Sequence, residues 1–381
     1  MESIKGINVE GKRVIVRVDY NVPIKDGKIT DDTRIIASLK TINYLLENNA
    51  KIILLSHLGR IKSSEDKDNN SLEIVAKHLS TLVSCGIYFV PFTRGEIVEK
   101  TIENMNNGEI VLLENTRFED YPKTLESSCD EALSRYWASL GDIFVLDAFG
   151  SAHRCHASTY GISKFLPSYS GFLVDNEVSM LDKAIHQKKT LILGGAKVED
   201  KIGVIDNLIN TSDYILLGGA MCFTFLKASG INVGESIVSN DKLMYAKNLL
   251  DSHKNKIILP IDIVTNNGIK DVINMSNSDI GYDIGPKTVE KYNELLNNSE
   301  LILWNGPLGM FENEKYENGT KGVMEYIYKQ SIPTILAGGD IISASHKFKY
   351  NFTYLSTGGG ATLEYLEGKR FKTLERLNGI K

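Results

Sequence analysis

The chain has 381 residues, which is more than one hydrophobic core usually supports, so we expect two domains. Its formal net charge of −5 at pH 7 argues against nonspecific binding to nucleic acids and to anionic membranes. No apolar run approaches the roughly 18 residues of a membrane span, and the N-terminal MESIKGINVEGKR lacks the apolar core of a signal peptide. The four cysteines are scattered and form no CxxC motif, so we expect a cytoplasmic protein without disulfides or a zinc site.

The first half of the chain alternates apolar strands with helical patterns. Strands are predicted over 14–18, 51–55, 108–113 and 142–146. Apolar residues at helical spacing predict helices over 33–46 and 71–82, and the charged segment 61–70 between them is predicted to be a loop. This alternation predicts a parallel sheet that is covered by helices on both faces.

Cationic side chains recur where these strands end. Four arginines lie at or just past a strand end, and a fifth opens the first helix: Arg17, Arg60, Arg117, Arg154 and Arg34. Ligands of open α/β sheets bind outside the carboxyl ends of the strands, so we expect these arginines to converge with His57 and with His153 or His156. Because arginine recognises carboxylate and phosphate through two donors, the expected ligand is small and carries several negative charges. One such arginine alone is usually a surface ion-pair partner, and at least one of the histidines is expected to be structural.

The second half has a different character, with no arginine between Gly171 and Gly368. Five apolar runs end in glycine-rich turns: 193–197 (LGGAK), 217–221 (LGGAM), 304–309 (WNGPLG), 337–340 (AGGD) and 357–361 (TGGGA). Each turn except the proline-containing one is expected to open a helix. Five such turns at one sheet edge predict a backbone-lined pocket for a flat ligand with phosphates. None is a GxGxxG followed by an acidic residue, which disfavours an NAD-dependent dehydrogenase.

The segment 190–207, TLILGGAKVEDKIGVIDN, is predicted to form a strand, a Gly-Gly turn and a helix with Lys197 and Lys201 one turn apart. It outlines an anion site, although it is not a P-loop because GxxxxGK[ST] is absent. Alone, the pattern fits a solvated helix start equally well.

Two acidic residues near the glycine-rich turns have two interpretations each. Asp340 could hold Mg²⁺ together with substrate phosphates or could cap a helix. Glu312 could hold a ribose hydroxyl or be an ordinary surface acid.

The motifs, taken in chain order, resemble those of the phosphoglycerate kinase family over nearly the whole length. They are RVDYNVP, SHLGR, LLENTRF, DAFGSAHRCHAST, LGGAKVEDKI, DIGPKT, WNGPLGMFE, GGD and STGGGATLE. The resemblance implies an α/β kinase of glycolysis, monomeric, with two lobes that are each a parallel sheet covered by helices in three αβα layers. Residues 1–167, completed by 366–381, would bind 3-phosphoglycerate or 1,3-bisphosphoglycerate, and 188–365 would bind ADP or ATP with Mg²⁺. Residues 168–187 would form an interdomain helix and hinge, together with the STGGG turn.

Matching motif positions carry the family's site residues over to this chain. Those for the glycerate substrate are Asp19, Tyr20, Asn21, Arg34, His57, Leu58, Gly59, Arg60, Arg117 and Arg154. Those for the nucleotide are Gly195, Ala196, Lys197, Lys201, Gly219, Gly281, Asn305, Pro307, Glu312, Gly338, Gly339, Asp340 and Ile341. Of these, Arg34, Lys197 and Gly339 would act on the transferring phosphoryl group, and Asp340 would be the Mg²⁺ ligand.

The sequence departs from the family pattern at a few positions. The family's GGGDT is AGGDI here, so Ala337 and Ile341 replace a glycine and a threonine, and the threonine hydroxyl beside the metal ligand is lost. Ile61, Leu146 and Ala220 replace a proline, an asparagine and a glycine. None of these changes removes a charged site residue. They leave one alternative open, namely a kinase-like protein that binds nucleotide and glycerate in a regulatory role with little turnover.

Overall fold

Strands and helices alternate along the part of the chain that the structure, a computed structural model, describes, namely residues 1–379. The strands are β1 (Arg13–Val18), β2 (Ile24–Lys25), β3 (Lys28–Ile29), β4 (Lys51–Leu55), β5 (Ile87–Val90), β6 (Ile110–Leu113), β7 (Ile143–Asp147), β8 (Ser168–Ser170), β9 (Lys189–Leu193), β10 (Ser212–Leu217), β11 (Ile257–Ile258), β12 (Asp262–Thr265), β13 (Gly268–Asp271), β14 (Gly281–Ile284), β15 (Ile302–Asn305), β16 (Thr334–Ala337) and β17 (Tyr354–Ser356). The α-helices are α1 (Thr33–Glu47), α2 (Ser64–Asn69), α3 (Glu73–Leu79), α4 (Glu96–Glu103), α5 (Glu131–Ser139), α6 (Phe172–His186), α7 (Ile202–Leu208), α8 (Met221–Ala228), α9 (Leu243–Ser252), α10 (Pro286–Leu296), α11 (Asn318–Gln330), α12 (Gly339–Phe348), α13 (Gly360–Leu366) and α14 (Lys372–Glu375).

The chain divides into two units. The first unit comprises residues 1–178 and the C-terminal segment from Arg370 onward, and the second unit comprises residues 179–369. The boundary falls inside α6. Within the first unit the returning C-terminal segment is tied down by Thr373, whose hydroxyl donates to the carbonyl of Ala152, and by Arg376, whose Nη2 donates to the carbonyl of Ser163 at 3.0 Å.

The first unit is built on a six-stranded parallel sheet in the order β5-β6-β4-β1-β7-β8. The central strand β1 pairs in register with both neighbours, so that Val14 lies opposite Ile52 of β4 and Ile143 of β7. The inner strands are buried almost throughout, as expected of a parallel sheet that is covered on both faces. The carboxyl ends of β6, β4, β1 and β7 therefore lie side by side, and the loops that follow them share one edge.

The second unit repeats this architecture with the parallel order β11-β10-β9-β15-β16-β17. Its core includes the fully buried Trp304 and residues of α11 and α12 such as Met324 and Ala344. The loops after β10, β9, β15 and β16 are adjacent at the carboxyl edge. The two parallel sheets confirm the predicted α/β class. A separate antiparallel sheet, β13-β12-β14, was not predicted because β13 and β14 (GIKD and GYDI) are only partly buried and lack a continuous apolar run.

One predicted loop is wrong, because residues 61–70 contain α2. Ser63 accepts the N–H of Asp66 at 3.3 Å, and the Asp66 carboxylate accepts the N–H of Ser63 at 2.9 Å, which makes a capping box. The charged sequence disguised the helix, since α2 buries none of its residues and shows no apolar period. None of the helices within residues 1–379 has the length and hydropathy that a bilayer span requires.

Asp147, at the end of β7, fixes the start of α6. Its Oδ1 accepts the N–H of Leu173 at 2.9 Å and lies 3.4 Å from the N–H of Val174, in the first turn of the helix. Burial raises the pKa of this carboxyl group to about 7, because the ionised form loses its hydration. The folded pKa therefore exceeds that of the unfolded chain, about 3.9, so the group's contribution to stability is lost as the pH rises towards and through 7.

We therefore predict that Asp147→Asn makes the protein more stable than wild type at pH 8, by about 2 kcal/mol, and that this gain shrinks towards pH 5. Urea unfolding at the two pH values measures the difference. Asp130, whose carboxylate accepts the N–H of Leu133 at the half-buried start of α5, provides a matched cap control, and Asp130→Asn is not expected to stabilise at pH 8. A gain for Asp147→Asn that is equal at both pH values would contradict the account.

Candidate active site

The loops at the carboxyl edge of the first unit's sheet bring together cationic side chains. We call this set the basic cluster and define it as Arg34, His57, Arg60, Arg117, Arg154 and His156. Three of its arginines line one surface pocket of about 240 Å³, together with Lys62 and Asp120. The structure thus groups the arginines that the sequence predicted to converge, with the exception of Arg17, and His156 joins them.

The loop after β1 is braced against α1 and the loop after β4. Arg34 donates from Nη1 to the carbonyl of Asn21 at 2.8 Å and lies 3.4 Å from Asp19 Oδ1. Asn21 in turn accepts the N–H of Gly59 through Oδ1 at 2.8 Å. Arg34 remains about one-third exposed, so its guanidinium is fixed at one nitrogen and open at the others.

Asn115, directly after β6, organises the same edge and was missed in the sequence analysis. This buried amide accepts the N–H groups of Leu58 and Arg117 at 3.2 and 3.1 Å, and it donates to the carbonyls of Leu58 and Asn70 at 2.7 and 2.8 Å. Arg117 then donates to the carbonyl of Gly59. The sequence signal for it was its place inside the LLENTRF motif, directly after the strand.

Arg17 does not lie with the exposed arginines. Its side chain is 1% exposed, and its Nε donates to Ser158 Oγ at 2.8 Å. Its Nη2 lies 3.0 Å from His57 Nδ1. A strand-end residue can point into the site or into the core, and the sequence pattern could not distinguish the two orientations.

The two histidines of the basic cluster are held neutral. Burial first, and then the charge of neighbouring guanidiniums, lowers the pKa of His57 well below its usual range. The same causes lower the pKa of His156 to about 3. The cluster's positive charge near neutral pH therefore comes from its arginines.

Two of the predicted substrate-site residues have their side chains elsewhere. The Tyr20 ring and the Leu58 side chain belong to the apolar core of the first unit. The Tyr20 hydroxyl is 3.0 Å from Ser38 Oγ, and the backbone N–H of Tyr20 donates to Ser56 Oγ. These residues shape the loops from below and do not offer side chains to a ligand.

In the second unit, three glycine-rich loops interlock through their backbones. The Gly195 N–H donates to the carbonyl of Pro307 at 2.9 Å, and the Gly219 N–H donates to that of Leu308 at 2.7 Å. A Cβ atom on Gly194 would lie 1.9 Å from the Pro307 carbonyl oxygen, and one on Gly219 would lie 2.5 Å from the Gly195 nitrogen. The absence of side chains is therefore what lets the loops after β9, β10 and β15 meet.

A buried polar chain extends this arrangement to the loop after β16. Lys201 donates to Asn305 Oδ1, and Asn305 donates from Nδ2 to the carbonyl of Ala337. Burial lowers the pKa of Lys201, although nearby carboxylates, Asp340 among them, oppose the shift. Lys201 is thus partly desolvated at a glycine-lined edge, which suits it to bind an anionic group.

The predicted helix that would place Lys197 and Lys201 one turn apart is wrong. Lys197 lies in an exposed loop, and the chain becomes helical only from Glu199, as a short 3₁₀ segment that leads into α7. Gly194 and Gly195 are therefore followed by an open loop. The other three turns that were predicted to open helices do so, at α8, α12 and α13.

The start of α12 presents backbone donors and one carboxylate. Gly338, with φ of 112°, is the N-cap, and Gly339, Asp340 and Ile341 form the first turn. N–H groups at this position have no partner within the helix, and they favour an anion. Within residues 1–379 the exposed Asp340 carboxylate makes no hydrogen bond or ion pair, and no group of three or more His, Cys, Asp or Glu side chains there could hold a metal ion. Asp340 would therefore bind a metal ion only together with ligands from outside the protein, such as phosphates. Ile341 is fully buried in the apolar core.

The remaining predicted nucleotide-site residues are less uniform. Ala196 and Glu312 are exposed in the loops after β9 and β15. Gly281 lies on β14 of the antiparallel sheet, where a Cβ atom would be 2.0 Å from the ring of Phe223. Its position reflects packing of that sheet against α8.

The interlocked loops give a prediction about stability. Gly219→Ala is expected to destabilise the protein by about 3 kcal/mol, because φ of +61° is strained for alanine and the new Cβ atom meets the Gly195 backbone. Gly230→Ala is the matched control, since Gly230 has φ of +90° but nothing within 4 Å of its Cβ position, and we expect a loss of only about 1 kcal/mol. Urea unfolding measures both values, and equal losses would mean that the loops are not in close contact.

Comparisons with known proteins identify the family of the chain. The family model for phosphoglycerate kinase matches residues 4–369. The phosphoglycerate kinase of Fusobacterium nucleatum is 48% identical over 392 aligned positions, and that of Staphylococcus epidermidis is 46% identical over 390, each alignment covering 98% of both chains. The phosphoglycerate kinase structure from Coxiella burnetii superposes with a TM-score of 0.89 at 33% identity over 98% of each chain. That from Pyrococcus horikoshii gives 0.84 at 32% identity over 99% of this chain and 98% of the other. The chain therefore belongs to the phosphoglycerate kinase family.

Proposed function

We propose that this chain is a phosphotransferase that moves the acyl phosphate of 1,3-bisphosphoglycerate to Mg-ADP, giving 3-phosphoglycerate and ATP in glycolysis, and that it also runs the reverse reaction. The observation that carries the proposal is the division of chemistry between two sheets. One sheet edge carries the basic cluster, and the other carries interlocked glycine loops with a helix N-terminus. Membership of the family over nearly the full length supports the same reaction.

The basic cluster is the proposed glycerate site. A ligand with a phosphate and a carboxylate needs several donors, and Arg60, Arg117 and Arg154 supply guanidinium groups around one pocket. Arg34 and the neutral His57 add further N–H donors, and Asp19 and Asn21 hold Arg34 and the adjoining loop. For Tyr20, Leu58 and Gly59 we propose only a backbone or shaping role.

The glycine-lined edge of the second unit is the proposed nucleotide site. Backbone N–H groups of Gly339 and its neighbours face the phosphates, Lys201 is anchored by Asn305 close to them, and Lys197 extends from its open loop. Gly195, Ala196, Gly219, Pro307 and Gly338 would form the backbone walls, and Glu312 would meet the ribose. Gly281 would act at a distance, through packing.

Asp340 is the proposed ligand of the Mg²⁺ ion that accompanies the nucleotide. Asp340 fits this ion, because its carboxylate is exposed at the helix start and free of protein partners within residues 1–379. Magnesium in such sites takes one or two carboxylates together with substrate phosphates and water. When bound, the ion supplies charge neutralisation between the phosphates.

The transfer itself needs no protein nucleophile. The bond between phosphorus and the acyl oxygen breaks, a bond between phosphorus and a terminal ADP oxygen forms, and the glycerate leaves as a carboxylate. Negative charge on the transferring group is stabilised by Arg34, Lys197 and the Gly339 N–H, so catalysis consists of positioning and electrostatic stabilisation. Since we assign the ligands to different units, we propose that the units move to bring them together, with residues 168–187 and the STGGG turn as hinge.

We also propose that the protein is a monomer in the cytoplasm. The free thiols support a reducing compartment, namely those of Cys85, Cys129, Cys155 and Cys222.

A binding protein with little turnover is the second candidate, and Ile341 is the observation that favours it. Because the Ile341 side chain is buried in the core, this residue can reach a phosphate only through its backbone N–H.

An assay with 3-phosphoglycerate, ATP and Mg²⁺, coupled to detection of the acyl phosphate, is expected to show turnover that chelation of the metal abolishes. Ile341→Thr should change turnover less than threefold. Tight binding of both ligands without product would overturn the enzyme in favour of the binding protein.

Arg34→Ala is predicted to lower kcat by about 10²–10³-fold, because one donor to the developing charge is removed. Steady-state rates measure the effect. Arg13, at the opposite end of β1, pairs with Asp142 at 2.9 Å on the surface and serves as the control, since Arg13→Ala should leave kcat within about twofold of wild type. Near-normal turnover of Arg34→Ala would remove this residue from the catalytic set.

A further inference from the structure

A buried hydrogen-bonded chain lies behind His57. Arg17 donates from Nε to Ser158 Oγ at 2.8 Å, and Ser158 donates its hydroxyl to Oε1 of Glu126. The Ser158 N–H reaches the other oxygen of Glu126 at 2.9 Å. Arg17 and His57 are 1% and 8% exposed, while Ser158 and Glu126 are fully buried. Burying Arg17 and Glu126, which are bridged by the Ser158 hydroxyl, costs free energy because both groups lose their hydration. The position of this pair beneath a ligand site therefore indicates a role at that site.

The direction of every bond in this chain is fixed by chemistry. A guanidinium has five N–H donors and no acceptor. Because Arg17 Nη2 lies 3.0 Å from His57 Nδ1, that nitrogen must accept, and it cannot carry the proton. The single ring proton of neutral His57 is then on Nε2, for which residues 1–379 provide no hydrogen-bond partner.

We propose that Arg17 is a positioning residue that holds His57 as the neutral tautomer with its proton on Nε2, so that His57 offers the glycerate ligand an N–H donor and no acceptor. A histidine with a bare Nε2 lone pair would repel a phosphate or carboxylate oxygen. Glu126 and Ser158 keep Arg17 in place and balance its charge inside the first unit. The inference rests on the proposed function for the identity of the ligand, but not for the tautomer.

The surroundings of His57 keep it neutral as well as oriented. The charged and titratable groups that face it are Arg17 from β1, Arg34 from α1, Arg117 from the segment after β6 and His156 from the loop after β7. Burial is the main cause that lowers the pKa of His57, and the charges of Arg17, Arg117 and Arg34 lower it further. The ring is therefore expected to keep one donor at Nε2 across the pH range in which the enzyme works.

Long-range ¹⁵N–¹H NMR of the full-length wild-type protein tests the tautomer directly, with His57→Gln used to assign the signal. The expected result is a protonated Nε2 and an unprotonated Nδ1 from pH 8 down to pH 5.5. A proton on Nδ1, or an imidazolium at neutral pH, would overturn the proposal. This readout does not depend on turnover, so it stands whether or not the chain proves to be a kinase.

The double variant Arg17→Met/Glu126→Gln removes both charges of the buried pair and leaves neither without a partner. We expect the Nε2 preference to be lost and KM for 3-phosphoglycerate at pH 8 to rise about tenfold, with a smaller change in kcat. Arg13→Met is the control on the same strand and should keep both the tautomer and the KM of wild type. A double variant that retains the Nε2 proton would contradict the positioning role.

Discussion

Repulsion between like charges is the constraint around which the first unit's site is built. Several guanidiniums face one pocket, and without a ligand they raise one another's energy. Arg117 is fixed by the carbonyl of Gly59 and Arg154 by a ring nitrogen of His153, and these neutral acceptors do not cancel the charge. Arg34 donates to the carbonyl of Asn21 and lies 3.4 Å from the Asp19 carboxylate, and Asp120 lines the same pocket as Arg60, Arg117 and Arg154. The cations outnumber these carboxylates, so positive potential is kept for an anionic ligand.

The second unit is built around a different constraint, because its backbone donors have to lie close to the phosphates of the proposed ligand. Helix starts and loop amides supply partial charge only at short range, so the loops that carry them must approach one another closely. Gly194, Gly219 and Gly306 allow this, because a Cβ atom on any of them would fall within 2.5 Å of a neighbouring backbone atom. Lys201 and Asn305 then tie the loops together from within. One unit thus relies on side-chain charge and the other on the absence of side chains.

Much of this organisation could be predicted from the sequence, because the ends of parallel strands can be recognised in it. A buried run followed by Ser-His or by Gly-Gly marks both the strand and the edge at which its loop lies, so the strands and most of the paired loops could be predicted. What it could not carry was the direction in which a side chain points after the strand ends. Arg17 and Arg60 were both predicted at strand ends, yet Arg17 lies inside β1 and is buried, whereas Arg60 lies in the loop after β4 and is exposed. The hydrogen bonds of the Asn115 amide were not predicted because they join segments that meet only after folding. Helix α2 was not predicted for a different reason, since its charged sequence has no apolar period.

The central claim is that each unit recognises its own ligand, and calorimetric titration of exposed-residue variants tests it most directly. Arg154→Ala and Lys197→Ala alter exposed side chains, so neither is expected to disturb the fold. The account predicts that Arg154→Ala weakens the binding of 3-phosphoglycerate by about tenfold or more while the Kd for Mg-ATP stays within about twofold of wild type, and that Lys197→Ala does the reverse. Variants that weaken both ligands equally, or that weaken the ligand assigned to the other unit, would contradict it.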